Sequence, residues 1–143
     1  MIKTVYVIAG PTATGKSNLS TSLANKINGI VINSDSMQIY KNLKILTARP
    51  SLSEMKNIDH HLYGYVDGNE RYNVERWCND AVEIISKASA NNLTPILVGG
   101  TGLYINTLIN GLIDLPPIPE AIKEESEKIL KEFGKSFLIN QIK

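Results

Sequence analysis

The chain has 143 residues, 43% of them hydrophobic and 20% charged, with a formal net charge of +1. That is enough for one domain with a real core, at ordinary globular composition. It excludes a global basic field, so any nucleic-acid contact needs a local site, and the single cysteine, Cys78, excludes an internal disulfide.

Thr4-Val5-Tyr6-Val7-Ile8-Ala9 reads as a buried strand. It leads into Gly10-Pro11-Thr12-Ala13-Thr14-Gly15-Lys16-Ser17, which fits the phosphate-binding loop pattern of two glycines followed by Lys and Ser. The glycines let the backbone wrap an anion, so that successive N–H groups and a helix N-terminus face it. Lys16 adds a mobile positive charge, and the Ser17 hydroxyl is a ligand for Mg²⁺. The ligand is therefore a phosphate or diphosphate, and the loop alone leaves open what carries it.

Leu19, Leu23 and Ile27 then recur at helical spacing, and Asn28-Gly29 is a stop. Ile30-Val31-Ile32 reads as a second strand, with Asn33-Ser34-Asp35-Ser36 at its C-terminal end. The periodicity weakens from Met37 to Asp67. Within that stretch Ser51-Leu52-Ser53-Glu54 can cap a short helix, and residues 61–66 read as another short strand. Val74, Trp77, Cys78, Ala81, Ile84, Ile85 and Ala88 share one helix face. Pro95-Ile96-Leu97-Val98 reads as a third core strand ending in the tight turn Gly99-Gly100-Thr101-Gly102. Leu103, Ile105, Leu108 and Ile109 open the next helix. Pro116-Pro117-Ile118-Pro119 marks an internal boundary, dividing a core over 1–115 from a segment over 116–143. In that segment Ile122, Ile129, Leu130 and Phe133 predict an amphipathic helix stopped by Gly134, with a few more helical residues beyond.

Alternating strands and helices imply an α/β fold with a parallel sheet and right-handed crossovers. Ligands in such sheets bind beyond the C-terminal strand ends. The motifs at 10–17, 33–36 and 99–102 all fall on that edge. Asp35 is accordingly a candidate functional carboxylate, against the alternative of a turn or helix N-cap residue. Thr101 is a candidate with the same alternative, and one side chain could serve both purposes. No cysteine–histidine spacing among Cys78, His60 and His61 suggests a metal cluster. No apolar run spans a membrane and no signal peptide is visible, so the expected compartment is the cytoplasm.

Together, Gly10–Ser17, Asn33-Ser34-Asp35-Ser36-Met37-Gln38-Ile39-Tyr40, Thr47-Ala48-Arg49-Pro50 and Leu97-Val98-Gly99-Gly100-Thr101-Gly102-Leu103-Tyr104 resemble the tRNA dimethylallyltransferases, also called tRNA isopentenyl transferases. The resemblance runs from residue 1 to about residue 120 and plausibly to the end. It implies a P-loop-type parallel sheet with flanking helices, incomplete here, followed by the start of a helical insertion. It implies transfer of a dimethylallyl group from its diphosphate to the exocyclic amine of the adenosine beside a tRNA anticodon. In that family the loop, with Mg²⁺, holds the prenyl diphosphate rather than an energy-supplying nucleotide such as ATP. Lys16 then stabilises the departing diphosphate, Asp35 matches the general base, and Thr101 matches a residue positioning the amine. Asp35, Ser36, Met37, Gln38 and Thr101 match tRNA-contacting positions.

Two departures stand out. Lys44 replaces an acid of the family pattern, and Leu46 replaces a glycine, where a branched side chain is expected to fit poorly. Family members also continue for a stretch comparable to this whole chain. The chain therefore reads as an N-terminal half, from a decayed gene, a split gene with a second chain supplying the rest, or a deliberate cut. The rival readings are a small-molecule or nucleotide kinase, an adenylate isopentenyltransferase and a non-catalytic remnant. A kinase lid would need clustered arginines, and Arg49, Arg71 and Arg76 do not form a cluster in sequence.

Overall fold

The computed structural model describes residues 4–112 and 118–141. The chain divides into two compact units, Met1–Leu112 and Ile113–Lys143. Pro116 and Pro117 of the expected boundary, like Met1–Lys3, lie outside the described residues.

The first unit is built on a parallel sheet of strands β1 (Tyr6–Ala9), β2 (Gly29–Asn33), β3 (His60–His61) and β4 (Thr94–Gly99), in the order β1-β4-β2-β3. The helices are α1 (Lys16–Ile27), α2 (Leu52–Met55), α3 (Val74–Ala90) and α4 (Gly102–Asn110). Strands β2 and β4 are covered on both faces, which is why they read as unbroken apolar runs rather than alternating ones. Ile30, Ile32 and Leu97 pack with Trp77, Ala81 and Ile85 of α3. Val31, Ile96 and Val98 pack with Ala24, Leu23 and Ile27 of α1.

The structure corrects several expectations. Strand β1 is not buried: Tyr6 and Val7 are 43% and 41% exposed, because β1 is an edge strand paired only with β4 among the described residues. The strand expected over 61–66 shrinks to His60–His61, followed by a single bridge from Val66 to Tyr40. Leu62 and Gly64 take left-handed φ values of 61° and 57°, which no continuous strand tolerates. On α1 the most buried residues are Ser20, Thr21 and Ala24, with Leu23 and Ile27 packed beside them as expected, while Leu19 faces solvent. Small residues let α1 approach the sheet closely, and the Ser20 and Thr21 hydroxyls both donate to the Ser17 carbonyl, at 2.8 and 2.9 Å. On α4, Tyr104 and Thr107 are buried while Leu103 and Ile109 are exposed. The Tyr104 ring stacks on Trp77 at 4.5 Å. Helices α2 and α3 follow the sequence: Ser51 and Glu54 form a reciprocal capping box, and the Asn73 side chain accepts from the Arg76 N–H to cap α3.

In the second unit, α5 (Glu120–Gln141) breaks at Gly134, whose φ of 76° and ψ of 173° separate two helical stretches. Phe133 and Phe137 flank the break with ring centroids 4.9 Å apart. No helix among the described residues is long and apolar enough to cross a membrane.

Register determines where the loops emerge. Ala9 of β1 lies opposite Gly99 of β4, and Asn33 of β2 opposite Val98. The three strands therefore end level, and the segments at 10–17, 34–38 and 100–102 leave the sheet along one edge.

Candidate functional site

A cavity of about 540 Å³ lies on that edge. Its walls include Thr12 through Asn18 of the glycine-rich loop, Asp35, Met37 and Gln38 after β2, and Leu46, Thr47 and Ala48 of the following turn. Tyr63, Glu54, Val98 and Gly99 complete them.

The loop is built as an anion cradle. Gly10, Ala13 and Gly15 have φ values of 159°, 64° and 80°, so the backbone reverses repeatedly around the cavity. The N-cap of α1 is Gly15, with no side-chain cap and no acidic residue in the first turn. The N–H groups of that turn and the positive end of the helix dipole are thus left for a ligand. Thr14 Oγ1 donates to the Pro11 carbonyl at 2.9 Å, and Lys16 Nζ donates to the same oxygen, which tethers the lysine across the loop. Gly10 and Pro11 are not walls of the cavity; Pro11 holds the loop through its carbonyl, which accepts from Thr14 and Lys16.

Asp35 is both a turn residue and a cavity residue. Its Oδ1 accepts from the Met37 N–H at 2.8 Å and, more weakly, from the Gln38 N–H at 3.4 Å. Its Oδ2 has no hydrogen-bond partner among the described residues and is left as an open acceptor. The backbone that carries it is held by Asn33, a fully buried residue of the 33–36 motif to which the sequence assigns no role of its own. The Asn33 carboxamide oxygen accepts from the Asp35 N–H at 2.9 Å. Its NH₂ donates to the carbonyls of Asp35 and Leu62, both at 3.0 Å. Trp77 Nε1 in turn donates to the Asn33 carbonyl at 2.9 Å. Polarity at the C-terminal end of a buried strand is the signal that singles out Asn33.

Thr101 lies at the N-cap position of α4, but its side chain does not cap. Its Oγ1 accepts from the Ser36 N–H at 3.0 Å and meets the Ser36 hydroxyl at 3.3 Å. Neither Ser36 nor Thr101 is a cavity wall. Thr101 is thus joined, through Ser36, to the segment carrying Asp35, Met37 and Gln38. Gly99 makes that approach possible: a Cβ there would lie 2.4 Å from the Ser34 carbonyl carbon.

Tyr63 and Glu54 were not foreseen as cavity residues, since both lie in the weakly patterned stretch. Burial, reinforced by the negative charge of Asp35, pushes the Tyr63 hydroxyl well above its ordinary range, so it stays a neutral donor. Glu54 is held by the Ser51 N–H at 2.8 Å and the Ser51 hydroxyl at 2.6 Å. Leu46 fits without strain: within 43–49 the left-handed residue is Ala48, with φ 49°, so the expected penalty for a branched residue at 46 does not arise.

The Ser17 hydroxyl, on the cavity wall and without a side-chain hydrogen bond among the described residues, is an oxygen donor of the kind that suits Mg²⁺. No group of three or more His, Cys, Asp or Glu side chains suited to a metal occurs among the described residues. Arg49 donates to the Tyr40 carbonyl at 3.3 Å, and Arg76 pairs with Glu70 at 3.6 Å.

Comparison with known proteins adds three findings. A family model described as IPP transferase matches residues 38–143, and one described as isopentenyl transferase matches residues 3–67. A tRNA dimethylallyltransferase of Pelagibacter ubique is 49% identical over 130 residues, covering 91% of this chain and 42% of that protein. One of Rhizobium etli is 44% identical over 141 residues, covering 99% and 48% respectively. Among solved structures, a full-length tRNA isopentenylpyrophosphate transferase from Bacillus halodurans superposes with a TM-score of 0.76 at 34% identity, covering 96% of this chain and 46% of that one. A eukaryotic dimethylallyltransferase acting on tRNA also gives a TM-score of 0.76, at 40% identity, over 83% of this chain and 31% of its own. The chain thus spans a little under half the length of the curated relatives it matches.

Proposed function

The chain belongs to the IPP transferase family, and on that premise we propose that it carries the diphosphate-binding and base-bearing part of a tRNA prenyltransferase. The donor is dimethylallyl diphosphate. The acceptor is the exocyclic amine of the adenosine adjacent to a tRNA anticodon. The observation that carries this reading is that one cavity joins an uncapped helix N-terminus, Lys16 and Ser17 to the Asp35 carboxylate. The names of the relatives, tRNA dimethylallyltransferases, support the same chemistry.

The proposed reaction breaks the carbon–oxygen bond between the prenyl group and its diphosphate and forms a carbon–nitrogen bond to the amine. The loop amides and Lys16 stabilise the negative charge that grows on the departing diphosphate. Mg²⁺ bound at Ser17 and the phosphate oxygens would supply further charge neutralisation. Asp35 Oδ2 takes the proton lost by the amine, while Oδ1 stays occupied by the backbone and fixes the carboxylate's orientation. Ser36, Met37, Gln38 and Thr101 form the segment along which the anticodon loop is read. The target base leaves its stack to reach the cavity.

The test is a chimera in which this chain replaces the matching part of the Pelagibacter ubique relative. Supplied with labelled dimethylallyl diphosphate, Mg²⁺ and unmodified tRNA, it should transfer label to the tRNA and release pyrophosphate. A soluble chimera that transfers no label, beside an active parent, would overturn the proposal.

A further inference from the structure

Two residues of α3, three apart and so on one side of the helix, hold two segments that wall the cavity. Trp77 holds the first through the Asn33 carbonyl. Asp80 holds the second. Its Oδ2 accepts from the Tyr65 hydroxyl at 2.9 Å and from the Tyr72 hydroxyl at 2.6 Å. The two hydroxyls also touch each other, and their rings meet edge to face with centroids 5.7 Å apart. Burial and the bonds to Asp80 push both phenols well above their ordinary range, so each stays a neutral donor. Asp80 is half-buried, yet no ion pair to it occurs among the described residues; the nearby Arg76 lies over the Tyr72 ring and pairs with Glu70. Two phenols, rather than a cation, offset the cost of desolvating this carboxylate.

The path from Asp80 to the cavity is continuous. The Tyr65 and Val66 N–H groups donate to the Ile39 carbonyl at 2.9 and 3.0 Å, and the Gly64 N–H donates to the Gln38 carbonyl at 2.9 Å. The Lys41 N–H returns to the Val66 carbonyl at 2.9 Å. Tyr63 and Gln38 both line the cavity, and Gln38 Nε2 extends the connection to the Thr47 carbonyl at 2.8 Å. Leu62 and Gly64 have left-handed φ values, so no regular ladder fixes residues 62–66. Tyr65 supplies that segment's side-chain hydrogen bond to α3.

We infer that Asp80 is a positioning residue: through Tyr65 it sets where Gln38 and Tyr63 stand relative to Asp35, and so the fit of the acceptor that brings its amine to Asp35. Asp80 is not itself a cavity wall. The inference rests on the tRNA reading of the site. It is independent of the phosphate loop, whose side-chain bonds run to the Pro11 carbonyl.

The experiment compares Asp80→Ala, Asp80→Asn and Tyr65→Phe with the wild type. Tyr65→Phe keeps the ring and leaves Asp80 bonded to Tyr72, so it cuts the tie without baring the carboxylate. Amide hydrogen exchange is read first, in the 143-residue chain. In Asp80→Ala and Tyr65→Phe the N–H groups of Lys41, Gly64, Tyr65 and Val66 should exchange about tenfold or more faster, relative to those of β2 and β4. Asp80→Asn keeps an oxygen that accepts from both phenols and should restore most of the protection. Pyrophosphate affinity, measured by calorimetry with Mg²⁺, should be unchanged in all three. In the chimera, kcat/KM for tRNA should fall by about tenfold or more in Asp80→Ala and Tyr65→Phe, with KM for dimethylallyl diphosphate unchanged. Should Asp80→Ala fail to fold, Tyr65→Phe carries the test alone. Faster exchange spread evenly over the sheet, or normal protection in Tyr65→Phe, would overturn the inference. Normal kcat/KM for tRNA in both variants of an active chimera, or an equal loss for the two substrates, would overturn it alone and leave the tRNA reading standing. A chimera inactive with Asp80 and Tyr65 intact would overturn the tRNA reading and this inference with it.

Discussion

Thr101 Oγ1 accepts a hydrogen bond from the backbone N–H of Ser36 at 3.0 Å, across a sequence separation of 65 residues. It joins the turn after β4 to the segment after β2. In Thr101→Val the shape is kept and the acceptor lost, leaving a half-buried N–H unpaired. We expect the transfer rate of the chimera to fall by about tenfold or more, from a misplacement costing about 1–3 kcal/mol, with pyrophosphate affinity little changed. A variant with normal turnover would show that the bond is structural only.

Lys16→Ala would remove the charge-assisted contact to the diphosphate proposed above. Pyrophosphate should bind more than about tenfold more weakly, corresponding to roughly 1.5–3 kcal/mol. Calorimetry giving equal affinities for the two proteins would remove Lys16 from the site.

Asp35→Asn separates the two oxygens of that side chain. The carboxamide oxygen can still accept from the Met37 N–H, so the turn survives. The amide nitrogen cannot take a proton. Diphosphate binding should persist while the transfer rate of the chimera falls by about 10²–10⁴, the usual worth of a general base. Near-normal turnover would make Asp35 a turn residue and nothing more.

Gly99→Ala places a methyl 2.4 Å from the Ser34 carbonyl carbon and 2.5 Å from its hydroxyl. The obstacle is backbone, which cannot swing aside as a flexible side chain would. Urea denaturation should show a loss of about 1–3 kcal/mol, the usual cost of overpacking. A midpoint equal to that of the wild type would contradict the close packing of β4 against the turn.

His60 is half-buried, and burial holds its imidazole below the ordinary 6.5, the bond to the Ile58 carbonyl opposing this only in part. The folded state thus resists protonation that the unfolded chain accepts. With more protons bound to the unfolded state below pH 6.5, stability falls as the solution is acidified through that value. Replacing the imidazole in His60→Asn should flatten this dependence. Urea midpoints of both proteins, taken on either side of pH 6.5, should diverge; parallel curves would contradict it.

The sheet and the phosphate loop were legible in the sequence because they depend on local signals. Unbroken apolar runs bounded by turns identified β2 and β4, and the face from Trp77 to Ala88 identified α3. The exposure of β1 was not legible, since an apolar strand reads alike at an edge and in a centre. The inward face of α1 is half legible: Leu23 and Ile27 pack on the sheet as their spacing implies, while Ser20 and Thr21 look polar until their hydroxyls are seen bonding the Ser17 carbonyl. The positions that Asn33 and Tyr63 take at the site are not legible for a related reason. Their surroundings come from segments distant in sequence, and no periodicity marks such residues.

Strand β4 lies between β1 and β2, and each of its neighbours donates one of the loops at the cavity. It therefore works as a shared ruler. Lengthening a loop would disturb one group of residues and spare the others. A residue inserted within β4 would instead move the cradle at 10–17 and the carboxylate at 35 out of step together, with neither motif altered. A homologous chain could for this reason keep every recognisable motif and still have lost the alignment on which they depend.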